Sequence, residues 1–174
     1  MTHKKNIVLL GMMGVGKSTI GKIISKKIHM NFFDIDKIIE NSSKLKIKDI
    51  FKIKGEDFFR KLEENETLNI LEKKNSIISL GGGAFVNKKI RHKVLLGSKS
   101  FWLNIAIEEI KKRLKNNKNR PLVNLYGVNN IEKIINERKK FYNQANYEIN
   151  CDKLSLNQIS DKIIKLYENN KAEN

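Results

Sequence analysis

The sequence has little cysteine, little proline and no long apolar run. Its one cysteine, Cys151, excludes a disulfide within the chain, and a reducing, cytosolic setting fits. No apolar run approaches the about 20 residues of a membrane helix. The short run near the N-terminus breaks at glycines without a small-residue cleavage site, so we expect neither a signal peptide nor a membrane partner. The one proline, Pro121, lies in the aperiodic stretch 116–130, which we interpret as a loop.

Arginine is scarce as well, since five arginines stand against 30 lysines. A composition biased so strongly toward lysine suggests that each remaining arginine marks a place where lysine does not suffice. Lysine carries a flexible point charge, whereas arginine is a planar fork that can hold a carboxylate or phosphate through two parallel bonds. The five candidates for anion binding are Arg60, Arg91, Arg113, Arg120 and Arg138.

The net charge of +16 would by itself suggest a nucleic-acid or acidic-membrane partner. The lysines, however, are scattered along every predicted helix and accompany abundant asparagine and isoleucine. They form no stripe with interleaved aromatic residues. We therefore expect no nucleic-acid partner, and a non-catalytic basic protein that binds nucleic acid is the remote alternative.

Apolar runs and helical periodicity alternate along the chain, which predicts an α/β fold with a parallel sheet between helices. We expect one domain, 1–174, because no linker or internal repeat divides the chain. The predicted strands are 6–10, 31–36, 76–80, 100–105 and 147–151. The predicted helices are 16–30, 36–73 with a break near Gly55, 87–96, 106–116, 131–145 and 155–170.

The strongest motif is "GMMGVGKST", residues 11–19, which matches G-x-x-x-x-G-K-[ST] after a strand and before a helix. Its backbone N–H groups can surround a phosphate. Lys17 is expected to reach the β- and γ-phosphates from an exposed loop, and the Ser18 hydroxyl to ligate Mg²⁺. The predicted nucleotide-binding residues are Gly14, Val15, Gly16, Lys17, Ser18 and Thr19. The motif does not distinguish a kinase from a hydrolysing switch or a motor.

Two further segments have two interpretations each. In "FFDID", Asp34 and Asp36 either point together into a crevice at the strand's end, for a metal and an acceptor hydroxyl, or Asp36 caps a helix. In "LGGGAF", residues 80–85, the glycines either admit another molecule against the backbone or form a loose turn. No Walker B-type aspartate ends this third strand.

The sequence supports an anion-binding role more strongly for some of the arginines than for others. Arg138 shares an inward face of the 131–145 helix with isoleucines and Tyr142, so it needs either an internal salt bridge or an anionic ligand. Arg120 precedes Pro121 in the predicted loop, where a lid could bring it onto a phosphate. The helical spacing does not place Arg60 on the same face as Phe59 and Leu62, so the periodicity does not support an anion-binding role for Arg60.

In order and spacing, these segments resemble the shikimate kinase family, a P-loop family related to nucleoside monophosphate kinases. The resemblance covers about residues 5–152 and includes the P-loop, "FFDID", "IFKIKGEDFFRKLE", "GGGA", "RPL" and "ERKKFYNQA". It implies a three-layer α/β/α P-loop kinase fold with a five-stranded parallel sheet, a substrate-binding region at about 36–63 and a lid at about 113–126. It also implies transfer of the ATP γ-phosphoryl group to the 3-hydroxyl of shikimate, with Mg²⁺, by a cytoplasmic enzyme that we expect to be a monomer.

The resemblance also implies a role for each matching residue. The catalytic residues would be Lys17, Asp36 and Arg120. Asp34 would help to position Mg²⁺ through water, Arg113 would lie along adenine, and Arg120 would reach the phosphates. The residues that would bind shikimate are Asp36, Phe51, Phe59, Arg60, Gly81, Gly82, Gly83 and Arg138. Arg91 receives no role, and we expect it on the surface. A kinase of another small acid, such as gluconate, is the alternative on the same scaffold.

Overall fold

A five-stranded parallel sheet forms the centre of the computed structural model, which describes residues 5–115 and 130–169. The strand order is β2-β3-β1-β4-β5, and helices flank the sheet, so the predicted α/β/α fold is confirmed. Every residue of β1 and β3 is buried, as expected for strands covered on both faces. The strands are β1 (Asn6–Leu10), β2 (Asn31–Asp34), β3 (Ser76–Ser79), β4 (Ser98–Asn104) and β5 (Tyr147–Asn150).

The helices of the described residues follow the strands in the expected alternation. They are α1 (Lys17–Ile28), α2 (Ile35–Ser43), α3 (Ile47–Lys54), α4 (Glu56–Leu71), α5 (Lys88–Gly97), α6 (Ile107–Lys115), α7 (Ile131–Tyr142) and α8 (Leu156–Asn169), with a 3-10 turn at Ala84–Val86. A Ser155–Gln158 capping box opens α8, since each residue's side chain accepts a hydrogen bond from the other's backbone N–H. In the described part of the chain, no helix is both long and apolar enough to cross a membrane.

Three predicted boundaries are wrong. The segment 36–73 contains three helices and a second break, because Lys44 ends α2 with a φ of 58° and the Glu40 carboxylate then accepts from the Ile47 N–H that opens α3. Strand β2 ends at Asp34, so Asp36 lies in the first turn of α2. Helix α7 ends at Tyr142, three residues early.

The sheet register brings the functional segments to one edge. Leu9 of β1 and Asp34 of β2 both pair with Ser79 of β3, so the three strands end at nearly the same level. Since parallel strands share a carboxyl edge, the P-loop, the acidic segment and the triple glycine all leave the sheet there.

Candidate active site

The P-loop connects β1 to α1 in a conformation that requires glycine. Gly11, Gly14 and Gly16 have φ values of 133°, 83° and 98°, in the region that side chains disfavour. A Cβ at Gly11 would also lie 2.6 Å from the Leu103 carbonyl oxygen. The loop therefore curls tightly before the N–H groups at the start of α1, an arrangement suited to phosphate oxygens.

Lys17 is the first residue of α1 and is only 8% exposed, so the expectation of an exposed loop lysine is wrong. Its ammonium donates to the carbonyl oxygens of Gly11 and Met12 at 2.8 and 2.9 Å. These bonds hold the charge over the loop. Ser18 follows on the same helix and is half-buried, and Thr19 is exposed.

The two acids of "FFDID" have separate surroundings. The Asp34 carboxylate accepts from the Lys37 N–H at 3.3 Å and caps α2, so the cap falls on Asp34 and not on Asp36. Asp36 lines a cavity and approaches the triple glycine, since a Cβ at Gly81 would lie 2.9 Å from its Oδ1. The strand-end geometry predicted for this pair is wrong because β2 stops at Asp34.

A cavity of about 440 Å³, which we call the α2–α4 pocket, lies beside the P-loop. The Phe51 and Phe59 rings form an apolar wall, with centroids 4.7 Å apart. The residues that line the pocket are Met13, Asp36, Lys37, Glu40, Lys46, Ile47, Lys48, Phe51, Phe59, Arg60, Glu63, Gly82 and Gly83. The pocket thus gathers six of the eight residues that the resemblance assigned to shikimate.

Arg60 is held in this pocket by two carboxylates of its own helix. Its guanidinium donates to Glu63 at 2.7 Å and to Glu56 at 3.0 Å. Burial opposes the charge of Arg60, but attraction to Glu63 and Glu56 raises its pKa overall. Burial also raises the pKa of the Glu63 carboxyl, although its attraction to Arg60 works in the opposite direction.

Arg138 lies on the inward face of α7, as predicted, and is 9% exposed. Its Nη1 is 3.8 Å from the Met12 sulfur, and a Cβ at Gly82 would lie 3.4 Å from the same nitrogen. Within residues 5–115 and 130–169, no carboxylate forms an ion pair with Arg138. The structure thus does not supply the internal salt bridge that was one of its two interpretations.

A second cavity of about 540 Å³, the α7 cavity, adjoins the first. Arg60, Glu63 and Gly83 line both cavities, whereas Arg138 lines only the second. Arg60 of α4 and Arg138 of α7 thus both line the α7 cavity.

The triple glycine makes this arrangement sterically possible. A Cβ at Gly81 would lie 2.4 Å from Glu63 Oε1, and a Cβ at Gly83 would lie 2.7 Å from Arg60 Nη1. The segment is not a loose turn, because the Ala84 and Val86 N–H groups bond back to the carbonyls of Gly81 and Gly83. The glycines thus give space to side chains of the protein itself, which the sequence alone did not indicate.

Two site residues were missed by the sequence reasoning. Glu63 lies three residues after Arg60 and shares the buried face of α4 with Phe59, so i, i+4 spacing was the available signal. Tyr142 was recognised only as part of the inward face of α7, but its hydroxyl donates to the Gly82 carbonyl oxygen. Burial raises the pKa of Tyr142 to about 12, so it remains a neutral donor.

The other arginines have different positions. Arg113 is partly exposed on α6 and donates to the Gly14 carbonyl oxygen at 3.2 Å, which places it against the P-loop. Arg120 and most of the expected lid lie outside the described residues. Arg91, predicted at the surface, is half-buried.

Comparisons of the sequence and of the structure with known proteins find the same family. The family model "Shikimate kinase" matches residues 13–168. The chain is 41% identical over 160 residues to a shikimate kinase of Sulfurihydrogenibium sp. (strain YO3AOP1), covering 92% of this chain and 96% of that protein. It is 39% identical over 165 residues to a shikimate kinase of Bacillus subtilis (strain 168), covering 94% of this chain and 89% of that protein. The solved structure of a shikimate kinase from Acinetobacter baumannii in complex with shikimate superposes with a TM-score of 0.91 and 28% identity, covering 96% of this chain and 94% of that one.

Proposed function

The chain belongs to the shikimate kinase family, and we propose that it transfers the γ-phosphoryl group of ATP to the 3-hydroxyl of shikimate, giving shikimate 3-phosphate for aromatic amino-acid biosynthesis. The observation that carries this proposal is the α2–α4 pocket beside the P-loop, which joins Asp36 and Arg60 to an aromatic wall. Such a pocket suits a small cyclic polyol that carries a carboxylate.

The nucleotide half of the reaction rests on the P-loop. We propose that residues Gly14–Thr19 bind the phosphates through backbone N–H groups, and that the Lys17 ammonium stabilises charge on the β- and γ-phosphates. The bonds from Lys17 to Gly11 and Met12 hold it over the loop for this role. Arg113, against the Gly14 carbonyl, is in position to lie along the nucleotide. Arg120 is proposed to reach the phosphates from the lid.

The acceptor half rests on residues from four helices and the triple glycine. We propose that Arg60 and Arg138 bind the shikimate carboxylate, since both line the α7 cavity and guanidinium forks suit a planar anion. Asp36 would accept a hydrogen bond from the 3-hydroxyl and take its proton. The ring carbon atoms would pack on Phe51 and Phe59, with Gly81, Gly82 and Gly83 giving close access to the backbone.

The oxygen atoms of Ser18 and Asp34 fit the usual mode of Mg²⁺ binding in nucleotide enzymes, in which the protein supplies few of the ligands. Within the described residues, no cluster of three or more His, Cys, Asp or Glu side chains could hold a metal ion alone. The Ser18 hydroxyl directly follows the P-loop lysine, and the Asp34 carboxylate ends β2 at the same edge of the sheet. Mg²⁺ typically takes one or two protein oxygen atoms and completes its shell with phosphates and water. When bound there, Mg²⁺ would neutralise charge on the β- and γ-phosphates.

The domain organisation, the oligomeric state and the location of the protein are also proposals. We propose a single kinase domain over 1–174, with a substrate-binding region at about 36–63 and a lid at about 113–126 that excludes water. A monomeric, cytoplasmic enzyme without nucleic acid is the accompanying prediction. In its support, Cys151 is buried, and burial raises the pKa of its thiol to about 11, as suits an unreactive core residue.

A coupled assay that detects ADP tests the proposal directly. The purified protein is given ATP, Mg²⁺ and either shikimate or gluconate, and the product is identified by phosphorus NMR. We expect phosphorylation of shikimate at the 3-position and none of gluconate. Turnover of gluconate without turnover of shikimate would instead establish the alternative small-acid kinase.

A further inference from the structure

Arg91, the one arginine without a role in the proposed reaction, connects two elements of the substrate site. Its Nη1 donates to the carbonyl oxygens of Phe85 and Val86 at 3.1 and 2.8 Å. Both carbonyls belong to the 3-10 turn Ala84–Val86, which directly continues the triple glycine. Arg91 itself lies on α5, so it fixes this turn to the helix behind it.

The same guanidinium also contacts α7. Its central carbon lies 4.9 Å from the centroid of the Phe141 ring, a distance suited to stacking of a planar cation on an aromatic face. Phe141 stands three residues after Arg138 on the same helix. One side chain thus touches both the turn that follows the glycines and the helix that carries a proposed carboxylate ligand.

Two of the contacts of α7 join it to the glycine segment and the turn that follows. Tyr142 donates to the Gly82 carbonyl oxygen, and this bond and the Arg91 bridge both join α7 to the glycine segment. Val86 and Phe141, the residues that Arg91 joins, form part of the α7 cavity wall together with Arg60 and Arg138. A shift of α7 against the turn would therefore change the separation of the two arginines.

From this geometry we propose that Arg91 is a positioning residue for the substrate pocket: it holds α7 and the 3-10 turn in register so that Arg138 stands against Gly82 and lines the α7 cavity together with Arg60. The inference rests on the proposed function, because it concerns the site of the same substrate. It also explains why arginine stands here in a lysine-rich chain. A lysine could reach a carbonyl, but it has no flat face to stack on Phe141 while it donates.

Steady-state kinetics of Arg91→Lys test the inference. We expect the KM for shikimate to rise about 3- to 10-fold, which corresponds to about 0.6–1.4 kcal/mol. The KM for ATP should stay within about twofold and kcat within about threefold, because the contacts of Arg91 go to Phe85, Val86 and Phe141, which lie outside the P-loop. Phe141→Leu should raise the KM for shikimate similarly, Phe141→Tyr should preserve it, and the double variant Arg91→Lys/Phe141→Leu should add little.

The control lies on the same helix. Lys93 pairs with Glu72 at 2.6 Å on the surface, so Lys93→Ala should leave every kinetic constant unchanged. Melting temperatures of all variants are measured on the same samples. A lower melting temperature with an unchanged KM for shikimate would reduce Arg91 to a stabilising residue and overturn the inference. Equal increases in both KM values would also overturn it. A wild-type protein that does not phosphorylate shikimate would overturn the proposed function, and this inference with it.

Discussion

Nine consecutive residues, 11–19, form the P-loop, whereas the proposed charged ligands of the substrate, Asp36, Arg60 and Arg138, come from α2, α4 and α7. In the P-loop, spacing along the chain is nearly the same as spacing in space, because one turn holds the glycines and the lysine. At the substrate site, Arg60 shares the α2–α4 pocket with Asp36 and the α7 cavity with Arg138 only because three elements pack around one edge of the sheet.

The two regions also differ in how they hold their charges. Lys17 is held by backbone carbonyls that belong to its own loop. Arg60 is held by carboxylates of its own helix, whereas no carboxylate among the described residues forms an ion pair with Arg138. The comparison predicts that nucleotide and acceptor functions can be damaged separately, by different substitutions.

Among these substitutions, Lys17→Met should have the largest effect, and it should impair the nucleotide half of the reaction. The methionine keeps an unbranched chain in this buried position but leaves the phosphate charge uncompensated. We expect kcat to fall by about 10²–10³-fold or more, the range for loss of one donor to a developing charge. Circular dichroism should show a folded protein, and Lys22→Met, an exposed position on the same helix, is the control. Near-normal turnover of Lys17→Met would remove the P-loop from the mechanism.

Asp36→Asn should break the chemistry at the boundary between the two halves. The substitution keeps the shape of the side chain and removes its charge, so kcat should fall by roughly 10²-fold or more. The affinity for ATP should change little, because Asp36 lies in the α2–α4 pocket. Asp57→Asn, exposed in the first turn of α4, is the matched control. If kcat is retained and only the affinity for ATP falls, Asp36 acts on the metal and not on the acceptor.

Arg138→Lys should sharpen the comparison, because it affects the acceptor half alone. The substitution keeps the charge but replaces a fork by a single ammonium. One lost charge-assisted hydrogen bond of about 1.5–3 kcal/mol should weaken shikimate binding about 10- to 150-fold, while ATP affinity stays within about threefold. Isothermal titration with each ligand measures both effects.

The control for Arg138 must be chosen from the structure. Arg91→Lys is unsuitable, because Arg91 connects the turn and α7. Lys133→Arg, at an exposed position of the same helix, is suitable and should be silent. A lower melting temperature of Arg138→Lys with normal shikimate affinity would contradict the ligand role and favour a structural one.

The same contrast explains what the sequence could predict. The P-loop, the alternation of strands and helices and the inward face of α7 follow from local spacing, and the structure places each as expected apart from a few boundaries. The break at Lys44 was missed because it depends on Glu40, seven residues before the N–H that it caps. Glu63 was missed although it lies at i, i+4 spacing from Phe59, because a buried carboxylate needs a partner such as Arg60 and is not expected from its residue type.

The role of the triple glycine was likewise out of reach of local reasoning. The sequence indicated close approach of some molecule or a loose turn. In the structure, the side chains of Glu63 and Arg60 take the space that Cβ atoms at Gly81 and Gly83 would fill. Such a requirement arises from packing between segments far apart in the chain, so only the folded structure reveals it.

The smallest expected effect concerns stability, and it comes from Glu63→Gln. The Glu63 side chain is 3% exposed, and burial raises its pKa above the usual 4.5 despite the attraction of Arg60. Above pH 4.5 the folded state therefore holds this proton more tightly than the unfolded state does. The stabilisation from the protonated carboxyl is complete below that pH and is lost as the pH rises through the raised pKa.

Glutamine does not titrate, so the free energy of unfolding of the wild type, minus that of Glu63→Gln, should fall as the pH rises from 4.5 toward neutrality. Urea unfolding at several pH values measures this slope. A difference that grows with pH would mean that attraction to Arg60 outweighs burial, and that the pair stabilises the pocket in its ionised form.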